Sequence, residues 1–222
     1  MDGNVPGPTP LVRATAFEQG AEDAPFTAGW SVAAIAVHSV LQIPVPIVLR
    51  LLVPGREAIV IDFRHRAFSW SGSLRAFPDN PGEVGVETIV VAEDDEPAFD
   101  LPGRHLDILL WMLGLRSFEN HAASWLHPGD RYHLLRWPNL STMPHTIDHM
   151  RLVALLGNGW FCTDALAGAA GVGRGDAVRI INALSLMGVL ESLPAEGPEQ
   201  PVVVTPPARD GLLQRLRAKL GF

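Results

Sequence analysis

The sequence predicts an α+β protein, with a small, mostly antiparallel sheet and helices in its front part and a helical module at its C-terminal end. Runs of β-branched and apolar residues separated by Pro–Gly turns predict the sheet. Beyond residue 145 these runs give way to apolar residues at helical spacing, separated by glycines. With 47% hydrophobic and 18% charged residues, the 222-residue chain has ample material for packed cores. We therefore predict a loose arm over 1–25, an α+β domain over 26–140 and a C-terminal module over 141–222.

The front domain is predicted to begin with a helix over residues 29–41. The apolar run continues to Leu49, but Pro44 and Pro46 interrupt it, and a residue that precedes proline disfavours the helical conformation. The uninterrupted part is shorter than the roughly 20 residues of a membrane-spanning helix. We therefore expect a buried helix followed by an extended segment, and no membrane span.

Four short runs of β-branched and apolar residues are predicted to be the strands of the sheet. The first two, over 47–53 and 57–63, are separated by Pro54 and Gly55, which predicts a hairpin. A third strand is predicted over 67–70 and a fourth over 84–91. Such short, closely spaced strands favour antiparallel pairing.

The end of the front domain carries a helical pattern and three aromatic residues. Leucines at helical spacing predict a helix over 104–115, and a second, short helix is expected over 122–126. Residues 132–137 are predicted to form a strand or an extended linker. A tryptophan in an irregular linker often anchors one module against another. The candidates for such an interdomain seam are Trp125, Tyr132 and Trp137.

The C-terminal module is predicted to contain three helices, over 146–156, 163–170 and 175–187, separated by glycine turns. A returning strand is predicted over 202–204. The chain then ends in a terminal amphipathic helix over 210–220. One stripe of this helix is a candidate surface for a partner and consists of Leu212, Leu213, Leu216 and Leu220.

The segment FCTDALAGAAGVGRGDAVRIINALSLMGVLESL, residues 161–193, contains a capped short helix, a glycine turn, a second helix and a closing turn before an extended stretch. In this order and spacing it resembles the helix-turn-helix of the winged-helix superfamily, and the likeness extends over about residues 146–205. The resemblance implies a winged-helix-like module whose second helix has an exposed recognition face. The residues of that face are Arg174, Arg179, Asn182 and Ser185.

The charge distribution disfavours DNA as the partner of this module. The chain has a net charge of −7, and residues 1–145 contain ten basic and seventeen acidic residues, against seven of each in 146–222. Binding to nucleic acid requires an excess of cations that neutralise phosphates. The predicted wing is itself acidic, at Glu191, Glu196 and Glu199. A protein partner is therefore favoured, and the acidic front part favours a basic one.

Composition also bears on the cellular compartment. Cys162 is the only cysteine, so neither an intramolecular disulfide nor a cysteine cluster for zinc is expected. The first twenty residues lack the basic start and apolar stretch of a signal peptide. Sixteen arginines against one lysine are typical of GC-rich bacterial genomes. We expect a soluble, cytoplasmic bacterial protein.

The sequence shows no pattern of residues that predicts catalysis. His145 and His149 are four residues apart and could share a helix face, but the pattern supplies no third metal ligand. A nucleophile elbow of the Gly-x-Ser-x-Gly type does not occur. We therefore predict no enzyme activity, no metal site and no cofactor.

The favoured function is that of a non-enzymatic regulatory or adaptor protein that acts by binding another protein. A DNA-binding transcriptional regulator that uses the C-terminal helix-turn-helix is one alternative. A nucleotide or second-messenger receptor is another, with Arg64, His65 and Arg66 acting together with the glycine-rich turn over 168–175. The sequence leaves self-association into a homo-oligomer open.

Overall fold

The computed structural model describes residues 29–195, and the chain divides into two compact units, Met1–Glu119 and Asn120–Phe222. The predicted arm over 1–25, the predicted strand over 202–204 and the predicted terminal helix over 210–220 lie outside the described residues. The same is true of the leucine stripe on that helix.

The first unit is built on a five-stranded antiparallel sheet. The strands are β1 (Ile47–Leu52), β2 (Ile59–Asp62), β3 (Ala67–Ser69), β4 (Gly85–Val90) and β5 (Arg104–His105). Their order across the sheet is β4-β1-β2-β3-β5. The predicted hairpin is present, with Leu49 opposite Ile61. The last strand was missed because its two residues gain strand character only by pairing with β3.

Two helices pack on the sheet, α1 (Trp30–Leu41) and α2 (Leu106–Arg116). Helix α1 contacts α2, β1 and β4, and the core between these elements is fully buried at Leu49, Ile61, Phe68 and Trp111. The hydroxyl of Ser117 donates to the Trp30 carbonyl at 3.1 Å, which ties the end of α2 to the start of α1. The pattern of apolar residues in both segments therefore reflects burial against this sheet.

The second unit combines three helices with a two-stranded antiparallel sheet. Its elements are β6 (Arg131–Leu134), α3 (Ile147–Leu156), α4 (Thr163–Ala170), α5 (Arg174–Leu186) and β7 (Leu190–Leu193). Helix α3 starts with a capping box between Thr146 and His149. Helix α4 ends at Gly171, whose φ of 66° is a left-handed conformation that glycine adopts without strain.

The two strands of the second unit come from distant parts of the chain. Strand β6 pairs with β7, and Tyr132 also forms a bridge to Phe161 on its other side. This pairing explains why the second unit starts at Asn120, ahead of the predicted boundary at residue 140. The residues that precede α3 thus supply one of the two strands of the small sheet.

Residues 122–126 were predicted to be a short helix, and this prediction is wrong. They form turns and irregular backbone, and only the Leu126 N–H bonds locally, to the Ala123 carbonyl. The Ala123 N–H donates at 2.9 Å to the Asn182 side chain. A long-range hydrogen bond thus holds this segment, which forms no helical ladder.

The predicted α+β class is confirmed, since helices and antiparallel strands both contribute to the described units. Between residues 29 and 195, no helix has the length and apolar character required to cross a membrane.

Candidate functional site

Asn182, predicted to lie on the exposed face of the second helix of the helix-turn-helix, is fully buried. Its side-chain oxygen accepts from the Ala123 N–H, and its side-chain nitrogen donates to the His121 carbonyl, each at 2.9 Å. An amide side chain can do both because it carries an acceptor and donors on one planar group. The expectation that Asn182 is exposed is therefore wrong, and the residue holds a segment of its own unit.

The other three residues of the predicted recognition face also have partners within the second unit. The Ser185 hydroxyl accepts at 2.8 Å from the Trp125 indole. The Arg179 guanidinium donates to the Asn120 side chain at 2.9 Å and lies 3.6 Å from the Asp176 carboxylate. Arg174 forms an exposed ion pair with Asp164 at 2.8 Å. These contacts occupy the groups that a DNA-reading helix offers to bases and phosphates.

Residues 120–125 thus pack along the face of α5 that the resemblance assigns to recognition. Asn120, His121, Ala123 and Trp125 each contribute at least one hydrogen bond to that helix. This arrangement could not be predicted from the sequence, because asparagine on a helix is usually exposed. The face is buried at Asn182, whereas the side chains of Arg174 and Arg179 on it are 64% and 43% exposed.

The cations proposed for a nucleotide site are also engaged. Arg64 donates to both carboxylate oxygens of Asp62, at 3.0 and 2.7 Å, and its side chain is only 4% exposed. The same guanidinium donates to the carbonyls of Ala92 and Asp95. Arg66 bonds to Asp107 at 2.9 Å. The 168–175 turn belongs to the other unit, so the two halves of this predicted site are not one described cluster.

Burial alone would raise the pKa of Asp62, but this effect is outweighed. Hydrogen bonds from the Arg64 side chain and the Ala98 N–H, together with the charge of Arg64, hold the pKa of the carboxyl below its usual range. A cleft of about 360 Å³ lies beside this pair and is lined mainly by apolar side chains, including Val40, Phe63 and Leu106. Arg64 and Arg66 line this cleft, and each is held in place by a carboxylate partner.

The three aromatic residues predicted to form an interdomain seam all lie within the second unit. Trp125 bonds to Ser185 of α5, and the buried Tyr132 donates its hydroxyl hydrogen to the His127 carbonyl at 3.2 Å. These described bonds hold the second unit together. Trp137 differs from the other two, because 60% of its surface is exposed.

We call four exposed or half-buried side chains of the second unit the aromatic surface: His133, Leu135, Trp137 and Trp160. The rings of His133 and Trp160 stack at 5.2 Å, with 29° between their planes. Leu135 is 60% exposed and lies in the bend directly after β6.

Gly157 connects the two halves of the aromatic surface. A Cβ atom at this position would come within 2.8 Å of the Trp137 ring, so the absence of a side chain lets the indole lie against the chain after α3. Trp160 follows three residues later and reaches the His133 ring. The turn that ends α3 therefore supports both tryptophans.

The sequence singled out Trp137 but missed the other members of the aromatic surface. His133 and Leu135 precede it at alternate positions, but β6 ends at Leu134 and the chain bends at 135 and 136, so the alternation marks no strand face here. Trp160 could not be assigned, because its proximity depends on the bridge between Tyr132 and Phe161. Tryptophan, histidine and leucine on one exposed surface offer apolar area and ring faces to a partner.

No family model, curated protein sequence or solved structure matches the chain. Within residues 29–195, no three His, Cys, Asp or Glu side chains come together in a way that could hold a metal ion. The single cysteine, Cys162, is half-buried.

The phenol of Tyr132 is expected to titrate far above its ordinary range. Burial raises the pKa of Tyr132 to about 12, and the Asp130 carboxylate adds to the shift. Because this is the only tyrosine, phenolate absorbance reports on it alone. We expect a midpoint of about 12 in native protein and about 10 in denaturant.

The folded state holds this proton more tightly than the unfolded chain, so the contribution of Tyr132 to stability is lost as the pH rises above about 10. A spectrophotometric titration tests this directly. A native midpoint equal to that of the denatured chain would show that the phenol is open to water.

Proposed function

We propose that the chain is a non-enzymatic regulatory or adaptor protein that binds another protein through the aromatic surface of its second unit. The observation that carries the proposal is the 60% exposure of Trp137 beside the equally exposed Leu135. Tryptophan is the residue type most often found at the energetic centre of protein interfaces. An exposed tryptophan that a partner covers gains the free energy of burying a large apolar ring.

The surroundings of Trp137 support a preformed docking surface. The indole lies against Gly157, and His133 and Trp160 stack on one another, so these rings have little rotational freedom to lose on binding. Strand β6, the turn after α3 and the bridge at Phe161 are regular elements that hold the backbone. The winged-helix-like module, in this proposal, is a scaffold for protein recognition.

The test is a pull-down from the native host with the full chain and two variants. Trp137→Glu places a charge at the centre of the aromatic surface and is expected to lower partner recovery at least tenfold. Ile147→Glu is the matched control, because Ile147 is 64% exposed on α3 of the same unit. It is expected to recover the partner as wild type does, and both variants should unfold at the wild-type temperature.

Two results would contradict the proposal. One is a partner recovered equally by Trp137→Glu and wild type. The other is the absence of any stoichiometric protein partner after chemical crosslinking in the host.

Random-sequence duplex DNA is expected to give no salt-sensitive shift with micromolar protein at low salt. Arg174 and Arg179 are paired with Asp164 and Asp176, and Asn182 is buried, so the cations and the amide available to DNA are few. A gel-shift titration measures this. A shift that high salt abolishes, and that Arg174→Glu removes, would favour the transcriptional regulator instead.

A further inference from the structure

Strand β4 forms one edge of the five-stranded sheet and pairs only with β1 among the described residues. It is as long as β1, and its sequence GVETIV contains no proline or lysine, the residues that commonly protect an edge from pairing. Ile89 and Val90 are 37% and 70% exposed. Among the described residues, no strand pairs with the outer side of β4, so this edge can accept a further strand.

The hydrogen-bond pattern determines which residues face this edge. The Val91 N–H donates to the Pro46 carbonyl at 3.1 Å, and the register places Val48 opposite Ile89. In an antiparallel ladder, bonded pairs recur at every second residue. The backbone groups of Glu87 and Ile89 therefore point to β1, and those of Val86, Thr88 and Val90 point away from it.

These three outward residues read Val, Thr, Val and are symmetric about Thr88. In a two-fold antiparallel pair centred on Thr88, each Val86 lies opposite Val90 of the second copy, and the two Thr88 residues face each other. All six outward N–H and C=O pairs then find partners. Val–Val and Thr–Thr are favourable cross-strand pairs.

Within β4 itself, charge does not oppose this pairing. Glu87, the only charged residue of β4, forms an ion pair with Arg50 of β1 at 2.8 Å. In the register centred on Thr88, Glu87 lies opposite Ile89 of the second copy, so no two carboxylates of β4 face each other directly. Like charges placed directly opposite would destabilise the pair.

We propose that β4 is a self-association edge, where a second copy of this chain adds its own β4 in antiparallel register about Thr88. The two sheets then form one continuous sheet across the two-fold axis. The occupant is a second copy because the outward residues are complementary to themselves. The β4 edge belongs to the first unit and the aromatic surface to the second, so either proposal can fail without the other.

Site-directed crosslinking tests the register in the full-length protein. In a Cys162→Ser background, Thr88→Cys places two cysteines opposite each other, with Cα atoms about 5.5 Å apart, within the range of a disulfide. Ile89→Cys is the matched control, because its copies lie diagonally at about 7–8 Å. We expect the first variant to crosslink at least fivefold faster than the second.

The mass in solution tests the association itself. Light scattering is expected to give twice the mass of the 222-residue chain for wild type. Val90→Lys should shift the mass to that of one chain, whereas Ile43→Lys, at a site 48% exposed outside β4, should not. Both variants should melt cooperatively.

Three outcomes would overturn the proposal. A monomer at high concentration means that the edge is solvated or is covered by another segment of the same chain. A dimer that Val90→Lys leaves intact forms elsewhere. Equal crosslinking at residues 88 and 89 excludes the register.

Discussion

Replacement of Asp62 by alanine is expected to destabilise the first unit by about 3–5 kcal/mol, because it leaves a guanidinium in the interior without its carboxylate. Asp62 is fully buried and accepts from Arg64 through both oxygens. It also accepts from the Ala98 N–H, so its loss frees the chain over the acidic loop. Urea unfolding of the full chain measures the change.

Glu87→Ala is the matched control, since Glu87 pairs with Arg50 in the same sheet but both side chains are exposed. An exposed pair contributes little, about 0–1 kcal/mol. If Asp62→Ala cost no more than Glu87→Ala, the buried pair would not be a structural element of this unit.

The same carboxylate gives the first unit an acid-sensitive stability. The pKa of Asp62 is lowered in the folded state, so its stabilising effect is complete above its ordinary pKa of about 4. The effect is lost as the pH falls through the lowered value. We expect the wild-type advantage over Asp62→Ala to shrink below pH 4 in urea titrations. An advantage that stays constant would contradict the ion-pair account.

Replacement of Asn182 by alanine is the second large effect, expected at about 2–4 kcal/mol. The change leaves the Ala123 N–H and the His121 carbonyl without their side-chain partner in a buried place. Each unsatisfied buried group costs about 1–3 kcal/mol. Urea unfolding and amide exchange at Ala123 measure the loss, and exchange should accelerate together with the drop in stability.

Asn158→Ala provides the control for the asparagine substitution. Asn158 is exposed and donates to the Ala154 carbonyl within its own turn, so its removal should cost little. Equal effects at residues 158 and 182 would mean that residues 120–125 do not depend on Asn182 for their position.

The parts of the fold that local pattern determines could be predicted from the sequence. Pro54 and Gly55 mark the hairpin between β1 and β2, and Thr146 marks the start of α3. Gly171 ends α4 in the left-handed conformation that its position requires. In each case the signal and its structural effect lie within a few residues of each other.

The parts that distant contacts determine could not be predicted. The chain around Ala123 is irregular, and the Ala123 N–H donates to Asn182, which lies far along the chain. Strand β6 owes its pairing to β7, which lies beyond three helices. Trp137 lies against Gly157, which is twenty residues further along the chain. Such long-range partners leave no periodic trace in a single sequence.

Amide hydrogen exchange with and without the captured partner tests the central claim most directly. We predict that the partner slows exchange within residues 131–137 and 157–161, which carry the aromatic surface. Exchange over β2, β3 and the residues of α5 should be unchanged. Protection along α5 or in the first unit alone, with the aromatic surface exchanging as in the free protein, would contradict the account.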